Sequence, residues 1–123
     1  IMQPHPWNSI LMYIKNEIET KTCHSFTTVL LNLYRTEKDS NGWHADNEKE
    51  LGRNPIIASI SLGEERVFQI KHNTNSNDKQ NIILQHGSLL LMKEGSQLHY
   101  KHQIPKTTNS KKPRINLTFR TII

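Results

Sequence analysis

His44 and Asp46 stand two positions apart, and His102 follows far along the chain as a third possible ligand. Two imidazoles and one carboxylate form the facial set that holds iron(II) and leaves positions open for a co-substrate and O2. Alone, the His-x-Asp pair is weak evidence. With seven histidines such pairs arise by chance, and a surface histidine beside a solvated aspartate is the commoner arrangement. If the set is real, strands on facing sheets are expected to bring its members together.

A second group lies in Arg114-Ile115-Asn116-Leu117-Thr118-Phe119-Arg120. Strict alternation places Arg114, Asn116, Thr118 and Arg120 on one strand face and Ile115, Leu117 and Phe119 on the other. Two arginines on an inward face demand anions, because the guanidinium stays charged and its fork pairs bidentately with a carboxylate or phosphate. A dicarboxylate such as 2-oxoglutarate would satisfy them, whereas a half-exposed strand with its polar face in water would need no ligand. Six residues of extended strand span about 20 Å, so both arginines cannot oppose one small molecule squarely. Arg114 is expected at the carboxylate remote from the metal, helped by Tyr34, and Arg120 nearer His44. Asn32 and Tyr34 share a face two residues apart and offer an amide and a phenol to the same co-substrate.

These side chains need a scaffold. After a Pro-rich entry ending in Trp7, Ile10, Leu11, Ile14 and Ile18 fall near helical spacing, which predicts a helix over 8–20 capped by Asn8 or Ser9. Strand-like runs follow at Phe26–Tyr34, Pro55–Leu62, Val67–His72, Ile82–Leu84, Ser88–Met92, Leu98–His102 and Arg114–Ile122. Polar stretches at Thr36–Arg53, Asn73–Asn81 and Gln103–Pro113 read as loops over a site. One helix followed by many short strands predicts a mainly β, jelly-roll-like domain.

The chain of 123 residues has room for one domain. Its 16 Lys+Arg against 11 Asp+Glu favour a polyanionic partner through long-range attraction. The single cysteine, Cys23, cannot form an internal disulfide, which fits a reducing, intracellular setting. No apolar run is long enough to cross a bilayer, so no membrane role is expected.

In the order Asn-x-Tyr, His-x-Asp, distal His and Arg-x-Asn-x-Thr-x-Arg, the chain resembles the AlkB family of iron(II)- and 2-oxoglutarate-dependent dioxygenases, and looks closest to its single-strand-preferring branch. The resemblance runs from Gln3 to Ile122 and is densest at Asn32–Arg35, Trp43–Glu48, Leu51–Gly63, His86–Met92 and Arg114–Arg120. It implies a double-stranded β-helix fold and an oxidative demethylase of N-alkylated bases such as 1-methyladenine and 3-methylcytosine in DNA or RNA, using Fe(II), 2-oxoglutarate and O2. It also implies iron ligation by His44, Asp46 and His102, and 2-oxoglutarate contacts from Asn32, Tyr34, Arg114, Asn116 and Arg120. Glu48 matches the acidic position that lies against the methylated base. Lys71, His72, Lys106, Lys111 and Lys112 are expected phosphate contacts, and the expected partner is single-stranded nucleic acid bound by a monomer. Asn47 departs from the acid usual in the family. The nucleotide-recognition lid that precedes the Pro4–Trp7 segment in the family is expected to be missing, leaving a catalytic core alone. Two other readings stay open: an oxygenase of a protein or small molecule, and a non-catalytic remnant that binds nucleic acid.

Overall fold

The computed structural model describes residues 7–122, so the Pro-rich entry before Trp7 lies outside the described residues. Helix α1 (Ser9–Thr22) begins where the Asn8 side chain accepts the Leu11 N–H at 2.8 Å and ends at Cys23, whose left-handed backbone returns its N–H to the Glu19 carbonyl. It runs two residues beyond the predicted end.

Eight strands follow: β1 (Thr28–Tyr34), β2 (Asn41–His44), β3 (Ile57–Gly63), β4 (Arg66–His72), β5 (Lys79–Leu84), β6 (Leu89–Met92), β7 (Tyr100–Ile104) and β8 (Arg114–Arg120). They form two antiparallel four-stranded sheets, ordered β1-β8-β3-β6 and β2-β7-β4-β5. Apart from the β4–β5 hairpin, every chain connection between consecutive strands passes from one sheet to the other. That winding is the expected double-stranded β-helix.

Three loop expectations are corrected. Thr36–Arg53 contains strand β2 and a short 3-10 turn at Lys49–Leu51, so His44 ends a strand instead of lying in a loop. Asn73–Asn81 gives up its last residues to β5, and Gln103–Pro113 its first two to β7. The strand expected from Leu98 starts only at Tyr100, because Ser96–His99 form one helical turn, α2, behind the left-handed Gly95.

Alternation along the strands builds two apolar layers. Outward residues Ala58, Leu117 and Phe119 pack with Phe26 under Ile18 of α1. Inward residues Tyr34, Ile57, Phe68, Leu84, Met92 and Ile104 fill the space between the sheets. The inner face of β8 and the Ser59 and Ser61 positions of β3 are polar, and that break in the apolar layer is where the site lies.

Candidate functional site

β2 and β7 are neighbours in one sheet, with His44 directly opposite His102. This corrects the expectation that the ligands come from facing sheets. Their rings lie 4.3 Å apart, and Asp46, two residues beyond the end of β2, brings a carboxylate oxygen 4.0 Å from His44 Nε2. One ligand atom from each of the three lies within 4.8 Å of the others, so strand pairing joins positions 58 residues apart.

Both imidazoles are held in place by their surroundings. His44 Nδ1 lies 2.7 Å from the Gly42 carbonyl, which can only accept, so Nδ1 donates there and Nε2 is the ring nitrogen turned toward Asp46. His102 is 6% exposed and stacked on Phe68, and burial, aided by the nearby His44, pushes its pKa down to about 4. Burial raises the Asp46 carboxyl above its ordinary value, opposed by His44 and Arg120. A cation at this point would favour the charged carboxylate, and His102 Nδ1 is buried without a hydrogen-bond partner. The donor set therefore fits a divalent metal that takes imidazole and carboxylate, iron(II) included.

Facing this cluster, β8 and β1 line a cavity of about 280 Å³ reached by Asn32, Tyr34, Arg114, Asn116 and Arg120. Arg114 is 2% exposed, lies against the Tyr34 ring at 4.9 Å, and donates from Nη2 to Ser61 Oγ at 2.9 Å. Its Nε and Nη1 are buried with no partner. Burial lowers its pKa, yet a guanidinium remains charged, so the cavity holds an uncompensated cation with free donors. A carboxylate of 2-oxoglutarate fits that demand. Asn116 is fixed by Ser59 and Thr118, while Arg120 reaches Glu48 at 3.5 Å and acts on Asp46. Glu48 also lines the cavity.

The structure does not bring Lys71 into the cavity. Phe68 and Ile70 take the inner face of β4, and Lys71 points outward with its ammonium 4.1 Å from the Trp43 ring centroid. There it stands between Lys101 of β7 and Lys79 of β5, each its direct cross-strand partner. His72 Nδ1 instead caps a turn, accepting the Thr74 and Asn75 N–H groups. Lys106, Lys111 and Lys112 lie in the loop before β8, and none of them lines the cavity.

Sequence reasoning missed Ser61 and Met92, which line or support the cavity, and Gln97, whose side chain reaches Asp46. Ser61 was discoverable, because alternation puts it opposite the polar face of β8. No pattern marks Gln97.

A three-donor metal cluster beside an unpaired buried arginine, between the sheets of a double-stranded β-helix, defines the class of metal oxygenases that take an acidic co-substrate. The chain belongs to the 2OG-Fe(II) oxygenase superfamily, whose family model matches residues 2–120, and it is similar to AlkB homologues. It is 46% identical to alpha-ketoglutarate-dependent dioxygenase alkB homolog 3 of Bos taurus, over 98% of this chain and 46% of that protein. It is 34% identical to DNA oxidative demethylase ALKBH2 of Homo sapiens, over 99% of this chain and 49% of that protein. The solved structure of OsALKBH1 superposes with a TM-score of 0.70 at 19% identity, covering 97% of this chain and 68% of the other, and shares the fold. The chain spans about half the length of the curated relatives it matches. Among the described residues no helix is long and apolar enough to cross a membrane.

Proposed function

We propose that this chain carries the oxidative demethylation of N-alkylated nucleobases, with His44, Asp46 and His102 holding iron(II) and Arg114 receiving 2-oxoglutarate. The observation that carries the reading is the buried Arg114 fork, without an anionic partner, across one cavity from the three-ligand cluster. When bound, iron(II) and 2-oxoglutarate supply the oxidation: O2 is consumed, the keto acid becomes succinate and CO2, and an N-methyl group gains a hydroxyl and leaves as formaldehyde.

The protein's own part is to position and to exclude water. Arg114, steadied by Ser61 and the Tyr34 ring, would pair with a carboxylate of 2-oxoglutarate through its free Nε and Nη1. Asn32 and Asn116 complete the polar wall, while Phe68, Leu84 and Ile104 close the rest with apolar surface. Arg120 holds the Glu48 carboxylate at the mouth and keeps negative charge near the place a cationic methylated base would occupy. Release of formaldehyde from a hydroxymethylated nitrogen requires no protein acid or base.

A base reaches such a cavity only out of its stack, at least cost in a single strand. Lys71, Lys79 and Lys101 on the outer face are read as phosphate contacts, with Trp43 beside them for stacking. Like charges in direct cross-strand register are unfavourable without an anion between them. The test is mass spectrometry of oligonucleotides bearing 1-methyladenine or 3-methylcytosine, incubated with iron(II), ascorbate and 2-oxoglutarate. Loss of one CH2 in mass, matched by one succinate, is expected. Succinate formed with every oligonucleotide unaltered would transfer the reading to a protein or small-molecule substrate.

A further inference from the structure

Gln97 is 4% exposed and serves no part of the scheme above, yet its side chain is fully engaged. Its Oε1 accepts the backbone N–H of Asp46 at 2.8 Å, across 51 residues of sequence. Its Nε2 donates to Met92 Sδ at 3.4 Å and to Ser96 Oγ at 3.2 Å, and Met92 is part of the cavity wall. The segment around Asp46 has no regular structure. Beyond the β2–β7 ladder, no other hydrogen bond among the described residues reaches the backbone of Ala45, Asp46 or Asn47. Gln97 is itself anchored: Gly95 donates to Asn54 Oδ1 at 2.7 Å, the α2 turn is closed by His99 N–H on the Gly95 carbonyl, and α2 runs straight into β7, which carries His102.

We propose that Gln97 is a positioning residue of the metal centre, tying the turn that presents Asp46 to the strand that presents His102. The inference rests on the metal reading given above. A carboxylate on an irregular segment has many orientations to lose on binding a cation, and a partner that fixes its backbone removes that cost beforehand. Hydrogen bonds behind metal ligands typically account for tenfold to hundredfold in affinity.

The experiment compares the wild-type chain with Gln97→Met, Gln97→Glu and His102→Ala, using Co(II) as an oxygen-stable probe. Methionine keeps length and volume but cannot accept the Asp46 N–H, while glutamate keeps an acceptor. Three quantities are read: the Co(II) dissociation constant, the visible absorption of the bound ion, and the thermal midpoint of the metal-free protein. For Gln97→Met the expected result is about tenfold to hundredfold weaker binding with a changed spectrum. Gln97→Glu should stay within about threefold of wild type, whatever the two substitutions do to the metal-free midpoint. Wild-type affinity and spectrum in Gln97→Met would overturn the inference. So would equal losses in both variants that track their thermal midpoints, since that pattern belongs to a purely structural residue. If wild type binds no Co(II), or His102→Ala binds it equally well, the metal reading itself fails and takes this inference with it.

Discussion

His102 pays for its position in protonation. Its folded pKa is pushed down to about 4 from an ordinary 6.5, so the unfolded chain binds the proton that the folded one refuses. The contribution to stability is complete above about pH 6.5 and is lost as the pH falls toward 4. The raised Asp46 carboxyl works in the opposite direction, stabilising the fold as acid protonates it. Comparing the metal-free wild type with His102→Gln cancels the Asp46 part. The wild type should lose about 2 kcal/mol more than the variant between pH 7 and pH 5, read from urea unfolding. Equal losses would mean that His102 is solvated. At this scale much was legible: the 114–120 alternation placed Arg114 and Arg120 on the cavity face, and the His-x-Asp spacing marked two of the three donors that cluster. Gln97 was invisible, because its role depends on a contact across 51 residues and a lone glutamine in a polar stretch carries no period.

At the junction of β3 and β8, Gly63 has a φ of +102° and pairs with Arg114. A Cβ there would meet the Pro113 carbonyl oxygen at 2.5 Å, so Gly63→Ala combines backbone strain with a clash against the residue before Arg114. It should cost about 2 kcal/mol or more in denaturant unfolding and weaken 2-oxoglutarate binding as well. Stability equal to wild type would contradict this packing. On the opposite sheet, the row of Lys101, Lys71 and Lys79 is an electrostatic liability in the free protein. Replacing Lys79 and Lys101 by Gln should leave the thermal midpoint level or higher. It should also lower the salt slope of single-strand binding by about one per lysine. An unchanged slope would remove this face from the interface. The elements that escaped the sequence reading were short or mixed. β2 has four residues, two of them Asn and Gly, and its register on β7 is irregular. The α2 turn breaks an apolar run through a left-handed glycine, a tertiary choice that local propensity does not reveal.

In the molecule as a whole, one apolar layer packs α1 onto the outer face of the first sheet and a second joins the sheets. Stability is thus built around a polar cavity instead of through it. Seven of the eight strands and the jelly-roll class were legible because alternation and turn residues are local signals. Pairing of β2 with β7, which brings the ligands together from one sheet, was not, because sequence fixes faces more directly than neighbours. On the function proposed above, this cavity holds a dicarboxylate against a metal with Arg114 as its counter-charge. The most direct measurement is calorimetric titration of 2-oxoglutarate into the Mn(II)-loaded chain without oxygen-dependent turnover, for wild type and Arg114→Ala. Wild type should show saturable, metal-dependent binding and the variant at least about a hundredfold loss, the cost of stripping a desolvated carboxylate of its partner. Binding of equal strength in both proteins, or none in the metal-loaded wild type, would contradict it.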